Sequence, residues 1–193
     1  MGGRAGGGAS GGMGSGAAAR ELTAAQNQLL DAIQSGKFYG PMDYQKQLDM
    51  LDAADKGASK LNESRNIYSD AEWDALKAYE GGHFEKINDA ARGAKKATEW
   101  DKQTIKSLDK AIGRRKLTKD IIVWRGSTAK ESSSGRFVST TLKASVAEKF
   151  NGGTKHLHAF KIPKGTHYLY TEGKGEAEVI LPRGFNLSKY KIK

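Results

Sequence analysis

The apolar residues of this chain change their period once, near Leu117, and that change restricts the fold more than any other feature. Upstream they recur at helical spacing: Leu22, Ala25, Leu29 and Ile33 before Gly36, then a second run over 41–58 around Tyr44, Leu48 and Leu51. Ser69-Asp70-Ala71-Glu72 reads as a capping box that starts a helix through Trp73, Leu76 and Tyr79, which Gly81-Gly82 is expected to stop. Helical patterning resumes over 83–92 and again over 98–112, with Trp100, Ile105, Leu108 and Ile112 predicted to face inward. Downstream the pattern predicts strands at 120–125, 136–141, 155–162, 166–170, 176–182 and 186–192, interrupted by a helix at 145–150. Helices first and strands afterwards indicate an α+β fold instead of an alternating α/β one.

Composition removes several classes of chemistry. With no cysteine in 193 residues, disulfides, thiolate nucleophiles and zinc-cysteine sites are excluded. His156 and His158 share a strand face, but no carboxylate completes a metal shell, so solvated imidazoles and no metal are expected. No apolar run approaches the ~18 residues of a membrane span or forms a secretory signal, so the whole chain is expected to be the mature one, without membrane contact. Residues 1–19 hold nine of the 24 glycines and almost nothing able to pack, which predicts a disordered tail. A single domain is expected over 20–193, helical to 117 and sheet-built from 118. Most of the net charge of +10 lies in a basic stretch from Ala91 to Lys130, a solvated face or a steering surface for anions.

Chemistry enters at Gly175-Glu176-Ala177-Glu178-Val179-Ile180-Leu181-Pro182. In a strand, residues i and i+2 share a face, so Glu176 and Glu178 are expected side by side, each raising the other's pKa. Such a pair is more often a solvated strand face than a catalytic one. Two upstream segments alter that balance: Ile121-Ile122-Val123-Trp124-Arg125-Gly126, a strand ending in arginine, and Phe137-Val138-Ser139-Thr140-Thr141, a strand ending in hydroxyls.

Together these segments resemble the ADP-ribosyltransferase exoenzyme family, in the arginine-serine-glutamate group that includes the enzymatic components of binary actin-modifying toxins. Trp124-Arg125-Gly126 matches the arginine strand, Ser139-Thr140-Thr141 the S-T-S strand and Glu176-Ala177-Glu178 the E-x-E strand. Tyr79, Phe84, Ile87-Asn88 and Arg92 resemble the helical segment lining the NAD cleft, so the likeness extends over roughly residues 65–193. Thr141 replaces a serine, and Phe84 replaces a tyrosine with loss of its hydroxyl. Phe150 matches a loop aromatic, while Asn151-Gly152-Gly153 stands where the family has an arginine, with Lys155 the nearby cation.

The resemblance implies helices packed on two small, roughly perpendicular, mostly antiparallel sheets, with NAD as co-substrate between them. It implies Glu178 as the carboxylate that stabilises charge on the ribose, Glu176 as the group that prepares an acceptor arginine, Ser139 as the support of Glu178, and Arg125 as a pyrophosphate ligand. Tyr79, Phe84, Asn88, Arg92, Gly126, Thr140 and Phe150 would complete the cofactor cleft. The implied activity is mono-ADP-ribosyl transfer to arginines of target proteins, with RNA a less favoured acceptor. An NAD glycohydrolase, or a basic nucleic-acid-binding or structural virion module that keeps the fold, are the alternatives. A glycine-rich start of this kind also resembles bacteriophage-encoded members, which implies action in the cytoplasm of a target or host cell, either delivered with a virion or made after infection.

Overall fold

Side-chain caps set the helix starts. Thr23 and Gln26 form a reciprocal box at the head of α1 (Ala24–Gln34), Ser69 and Glu72 at α3 (Asp70–Ala78), and Thr98 and Asp101 at α5 (Glu99–Gly113). Asp43 caps α2 (Tyr44–Lys56) by accepting from the Lys46 main-chain N–H at 2.9 Å. Each cap satisfies N–H groups that the helix cannot, a contribution of about 1 kcal/mol apiece. This computed structural model describes residues 21–126, 135–153 and 156–193; the glycine-rich segment 1–19 and Lys155 lie outside them.

One helical expectation holds and one is corrected. α3 ends at Ala78, and the widened turn Tyr79–His83 that joins it to α4 (Phe84–Ala91) is kinked at Gly82, whose φ of +101° is non-helical and costly for a side-chain-bearing residue, so the glycine pair separates the two helices. Trp100 does not face inward but is 44% exposed. The buried face of α5 is Asp101, Thr104, Ser107, Leu108, Ala111 and, as expected, Ile112, while Trp100 lies off it, edge-on to His83 and beneath the Lys86 ammonium.

The strands β1 (Ile121–Gly126), β2 (Val138–Thr141), β3 (Leu157–Ile162), β4 (Leu169–Thr171) and β5 (Glu178–Leu181) form one antiparallel sheet in the order β3-β1-β2-β5-β4. The expected pair of sheets is thus one connected sheet among the described residues, for a physical reason visible in the register. β1 and β3 share six residue pairs and β2 and β5 share four, but β1 meets β2 only at Trp124↔Thr141. Around that narrow joint the two halves enclose a common core: Ile121, Val123, Phe160 and Ile162 from one side, Tyr170, Val179 and Leu181 from the other.

The outer faces are covered by helices. Ile122, Trp124, Leu157 and Ala159 pack on α1, α2 and α6 (Ala144–Lys149), while Leu169, Ile180 and Phe137 pack on α3, α4 and α5. Burying each such side chain contributes about 1.5–3 kcal/mol. The strand predicted at 186–192 is instead a 3₁₀ turn, Leu187–Tyr190. Its only pairing among the described residues is one bridge, Lys191 to Phe160, and the segment is held by Leu187, which is buried in the core between the halves.

Candidate active site

The register of β2 on β5 assembles the site. Thr141 lies opposite Glu178 and Ser139 opposite Ile180, so Ser139, Thr141, Glu178 and Ile180 share the face that packs toward α3. From the first position of β5, Glu178 reaches diagonally to Ser139, whose hydroxyl bonds its carboxylate. Burial pushes the Glu178 carboxyl up to about 7; the Ser139 bond opposes this, and the charges of Glu176 and Glu80 add to it.

Arg125 sits at the narrow joint. Its Nη1 donates to the Ser139 main-chain carbonyl at 2.6 Å, tying β1 to β2 just beyond their single registered pair. Gly126 follows for a steric reason: a Cβ there would lie 2.2 Å from the Ala147 carbonyl oxygen, so its observable role is to admit α6 against β1.

Glu176 departs from the expected strand. It caps the 3₁₀ turn Gly173–Gly175 in a helical conformation, and Ala177 follows at φ +48°, so the i, i+2 alternation does not hold between the two glutamates. The left-handed alanine costs of order 1 kcal/mol, a local strain of the kind found at functional turns. Glu176 nonetheless stands near enough for its charge to act on Glu178. Three contacts fix the turn: Thr141 Oγ1 donates to the Glu176 carbonyl at 2.6 Å, Leu142 N–H to the Ala177 carbonyl at 3.1 Å, and Lys143 Nζ to the Gly175 carbonyl at 3.0 Å.

Thr141, matched in the sequence only as a strand hydroxyl, and Lys143 thus hold the turn before β5, a contact that sequence reasoning did not foresee. The run of three hydroxyls was the only signal for the first; nothing marked the second. Glu80 was likewise missed: it lies in the widened turn, accepts from the Thr171 hydroxyl and pairs with Lys77 at 2.8 Å. Thr140 is corrected in the opposite sense. It points to the other face of β2, is 4% exposed, and its hydroxyl donates to the Val179 carbonyl at 2.8 Å, so it is bound to the sheet and not open to a cofactor.

The helical candidates divide. Tyr79 is buried, with its hydroxyl 3.0 Å from Ser139 Oγ and 3.1 Å from Asn88 Nδ2. Phe84, at the start of α4, is 45% exposed, and Phe150, just past α6, is 62% exposed. Arg92, at the end of α4, pairs with Asp89 at 2.7 Å. Asn151 is buried, its amide donating to Tyr39 and Glu148 at 3.0 and 2.9 Å, so that residue offers no cation in place of the family's arginine. His158 is half-buried rather than solvated: burial, then Lys191 and His156, push it down to about 4, leaving the ring neutral. Among the described residues no group of three His, Asp or Glu is placed to hold a metal ion, and no helix is long and apolar enough to cross a membrane.

The fold has known counterparts. Exoenzyme S from Pseudomonas aeruginosa, solved with human 14-3-3 protein beta and carba-NAD, is similar at TM-score 0.53 and 20% identity, over 61% of this chain and 64% of that one. A second solved ADP-ribosyltransferase, from Clostridium botulinum, is similar at TM-score 0.51 and 18% identity, over 66% of this chain and 87% of that one. The fold is that of the ADP-ribosyltransferases. Residues 39–134 match the family model described as ADP-ribosyltransferase exoenzyme. The NAD(+)-arginine ADP-ribosyltransferase EFV of Enterococcus faecalis is 30% identical over 161 residues, 74% of this chain and 32% of the relative. The chain belongs to the ADP-ribosyltransferase exoenzyme family and spans about a third of the length of that relative.

Proposed function

We propose that this chain is an enzyme that moves ADP-ribose from NAD to arginine side chains of target proteins and releases nicotinamide. The observation that carries the reading is a half-buried carboxylate, Glu178, held by Ser139 beside the Arg125 joint, with a second carboxylate, Glu176, on the turn in front of it. The residues present suit a dinucleotide: Arg125 and Arg92 supply planar cations for phosphate, and the exposed rings of Phe84 and Phe150 supply stacking faces.

Loss of nicotinamide leaves positive charge spread over the ribose, as in glycoside cleavage. Glu178, once ionised, stabilises that charge, and its low-dielectric setting makes the interaction stronger than it would be in water. Ser139 keeps the carboxylate oriented without adding charge. Glu176 pairs with the incoming guanidinium and takes its proton late, because the pKa of arginine exceeds 12. The name of the Enterococcus relative supports arginine as acceptor.

The position of Glu176 off the strand favours water as a competing acceptor, since bond cleavage needs only Glu178; NAD hydrolysis is the second reading. Protein is the acceptor class we favour over RNA. The glycine-rich segment supports a setting inside a target or host cell, with a virion as carrier. Incubation with labelled NAD and a bacterial lysate, followed by mass spectrometry of modified side chains, tests the reading. Adducts on arginine that vanish with Glu178→Gln are expected; adducts confined to other side chains would overturn the arginine assignment.

A further inference from the structure

Tyr79 and Asn88, expected to line the cofactor cleft, are bound instead to the groups behind Glu178. Tyr79 is 2% exposed, so neither face of its ring is open to a ligand. Its hydroxyl lies 3.0 Å from Ser139 Oγ and 3.1 Å from Asn88 Nδ2, and Asn88 Oδ1 accepts from the Phe137 main-chain N–H at 2.9 Å. With Ser139 on the Glu178 carboxylate, a row of hydrogen bonds leads from the backbone of β2's approach to the head of β5.

The two ends of this row fix its direction. A main-chain N–H can only donate, so Asn88 turns its oxygen to Phe137 and its amide nitrogen to Tyr79. The Tyr79 oxygen therefore accepts, and its one proton goes to Ser139. The Ser139 oxygen accepts in turn, and its proton goes to Glu178. An ionised carboxylate can only accept, so the far end agrees with the near one. Burial raises the Tyr79 pKa, which keeps the phenol protonated and able to donate.

We propose that Asn88 and Tyr79 are positioning residues that direct the Ser139 hydroxyl proton onto Glu178, holding that side chain charged and in place, and are not ligand contacts. The inference rests on the reading of Glu178 as the catalytic carboxylate. The groups around Glu178 are Ser139 from β2, Tyr79 and Glu80 from the widened turn, Glu176 from the turn before β5, and Arg125 from β1 on the far side of Ser139. Glu80 and Glu176 oppose its charge, so a directed donor counts for more here than at an isolated carboxylate.

The test is a carboxyl carbon NMR titration of protein labelled at glutamate side chains, with the Glu178 resonance assigned by its loss in Glu178→Gln. Asn88→Asp keeps the shape and still accepts from Phe137, but it cannot donate to Tyr79. The phenol proton then turns toward the new carboxylate, Ser139 loses its donor, and the Glu178 midpoint rises by about one unit or more. Tyr79→Phe cuts the row, raises the midpoint, and makes a subsequent Asn88→Asp change without further effect. A through-space charge effect would persist in the Tyr79→Phe background, and that result, or an unmoved midpoint in both variants, overturns the proposal. In NAD cleavage both variants should lower kcat with KM for NAD unchanged within about twofold; a raised KM at constant kcat assigns them to ligand binding and overturns it as well. The titration decides the matter even if the wild-type protein cleaves no NAD, in which case the proposed function fails and the positioning role is judged separately.

Discussion

Replacing Glu178 with glutamine should remove turnover and, above neutral pH, make the protein more stable. Burial, with the charges of Glu176 and Glu80, raises this carboxyl from the ordinary 4.5 to about 7. At ~1.4 kcal/mol per unit, ionising Glu178 costs about 3 kcal/mol more in the folded protein than in the unfolded chain. The folded state holds the proton more tightly, so stability falls as pH rises from about 4.5 through 7, and the loss is complete above that. Glutamine carries no such cost. The variant should match wild type near pH 4 and exceed it by about 3 kcal/mol at pH 8, roughly 6–12 °C in Tm for a chain of this size. Differential scanning calorimetry from pH 4 to 8.5 reads this directly. The same series should show NAD cleavage by wild type rising with pH through one ionisation near 7, and at least ~100-fold lower cleavage by the variant. Equal Tm values across the pH range would refute the premise that Glu178 is held in a setting hostile to its charge.

Glu176→Gln should leave NAD hydrolysis largely intact while transfer to arginine drops by an order of magnitude or more, read by parallel assays of nicotinamide release and adduct formation. Thr141→Val, which is nearly isosteric, removes the bond to the Glu176 carbonyl and should cost about 1–2 kcal/mol in urea unfolding; it should reduce transfer more than hydrolysis, because Glu178 stays in the sheet. Gly126→Ala forces a methyl against the Ala147 carbonyl and should destabilise by about 3 kcal/mol as α6 is pushed off β1, again by urea unfolding; a variant as stable as wild type would show that this contact yields freely.

What was legible in the sequence was local. The Ser69-Glu72 capping box announces a helix start because its side chains act within one turn, and the β-branched run Ile121-Ile122-Val123 announces a strand because such side chains fit a pleated sheet covered on both faces. What was hidden depends on two segments meeting. The joining of the strands into one sheet follows from a single Trp124↔Thr141 pair, which no periodicity encodes. The departure of Glu176 from the strand follows from Thr141 and Lys143 pulling its turn toward β2, more than 30 residues away in the chain. Trp100 looked like core because helical spacing alone does not say which of two neighbouring apolar stripes is covered. For the site, residue types pointed to Arg125, Ser139 and Glu178, and the register of β2 on β5 supplies the reason they converge. Thr140 shows the limit of that reading: it sits in the same run of hydroxyls, and the pleat turns it away.

The most direct test of the central claim uses a small guanidine in place of a protein. Purified protein is incubated with NAD and agmatine, and both nicotinamide and ADP-ribosyl-agmatine are quantified by mass spectrometry. The account predicts the adduct in wild type, its loss with nicotinamide in Glu178→Gln, and its selective loss in Glu176→Gln. Nicotinamide released by wild type without any adduct, at agmatine concentrations well above those of NAD, would contradict arginine transfer and leave hydrolysis as the reaction of this site.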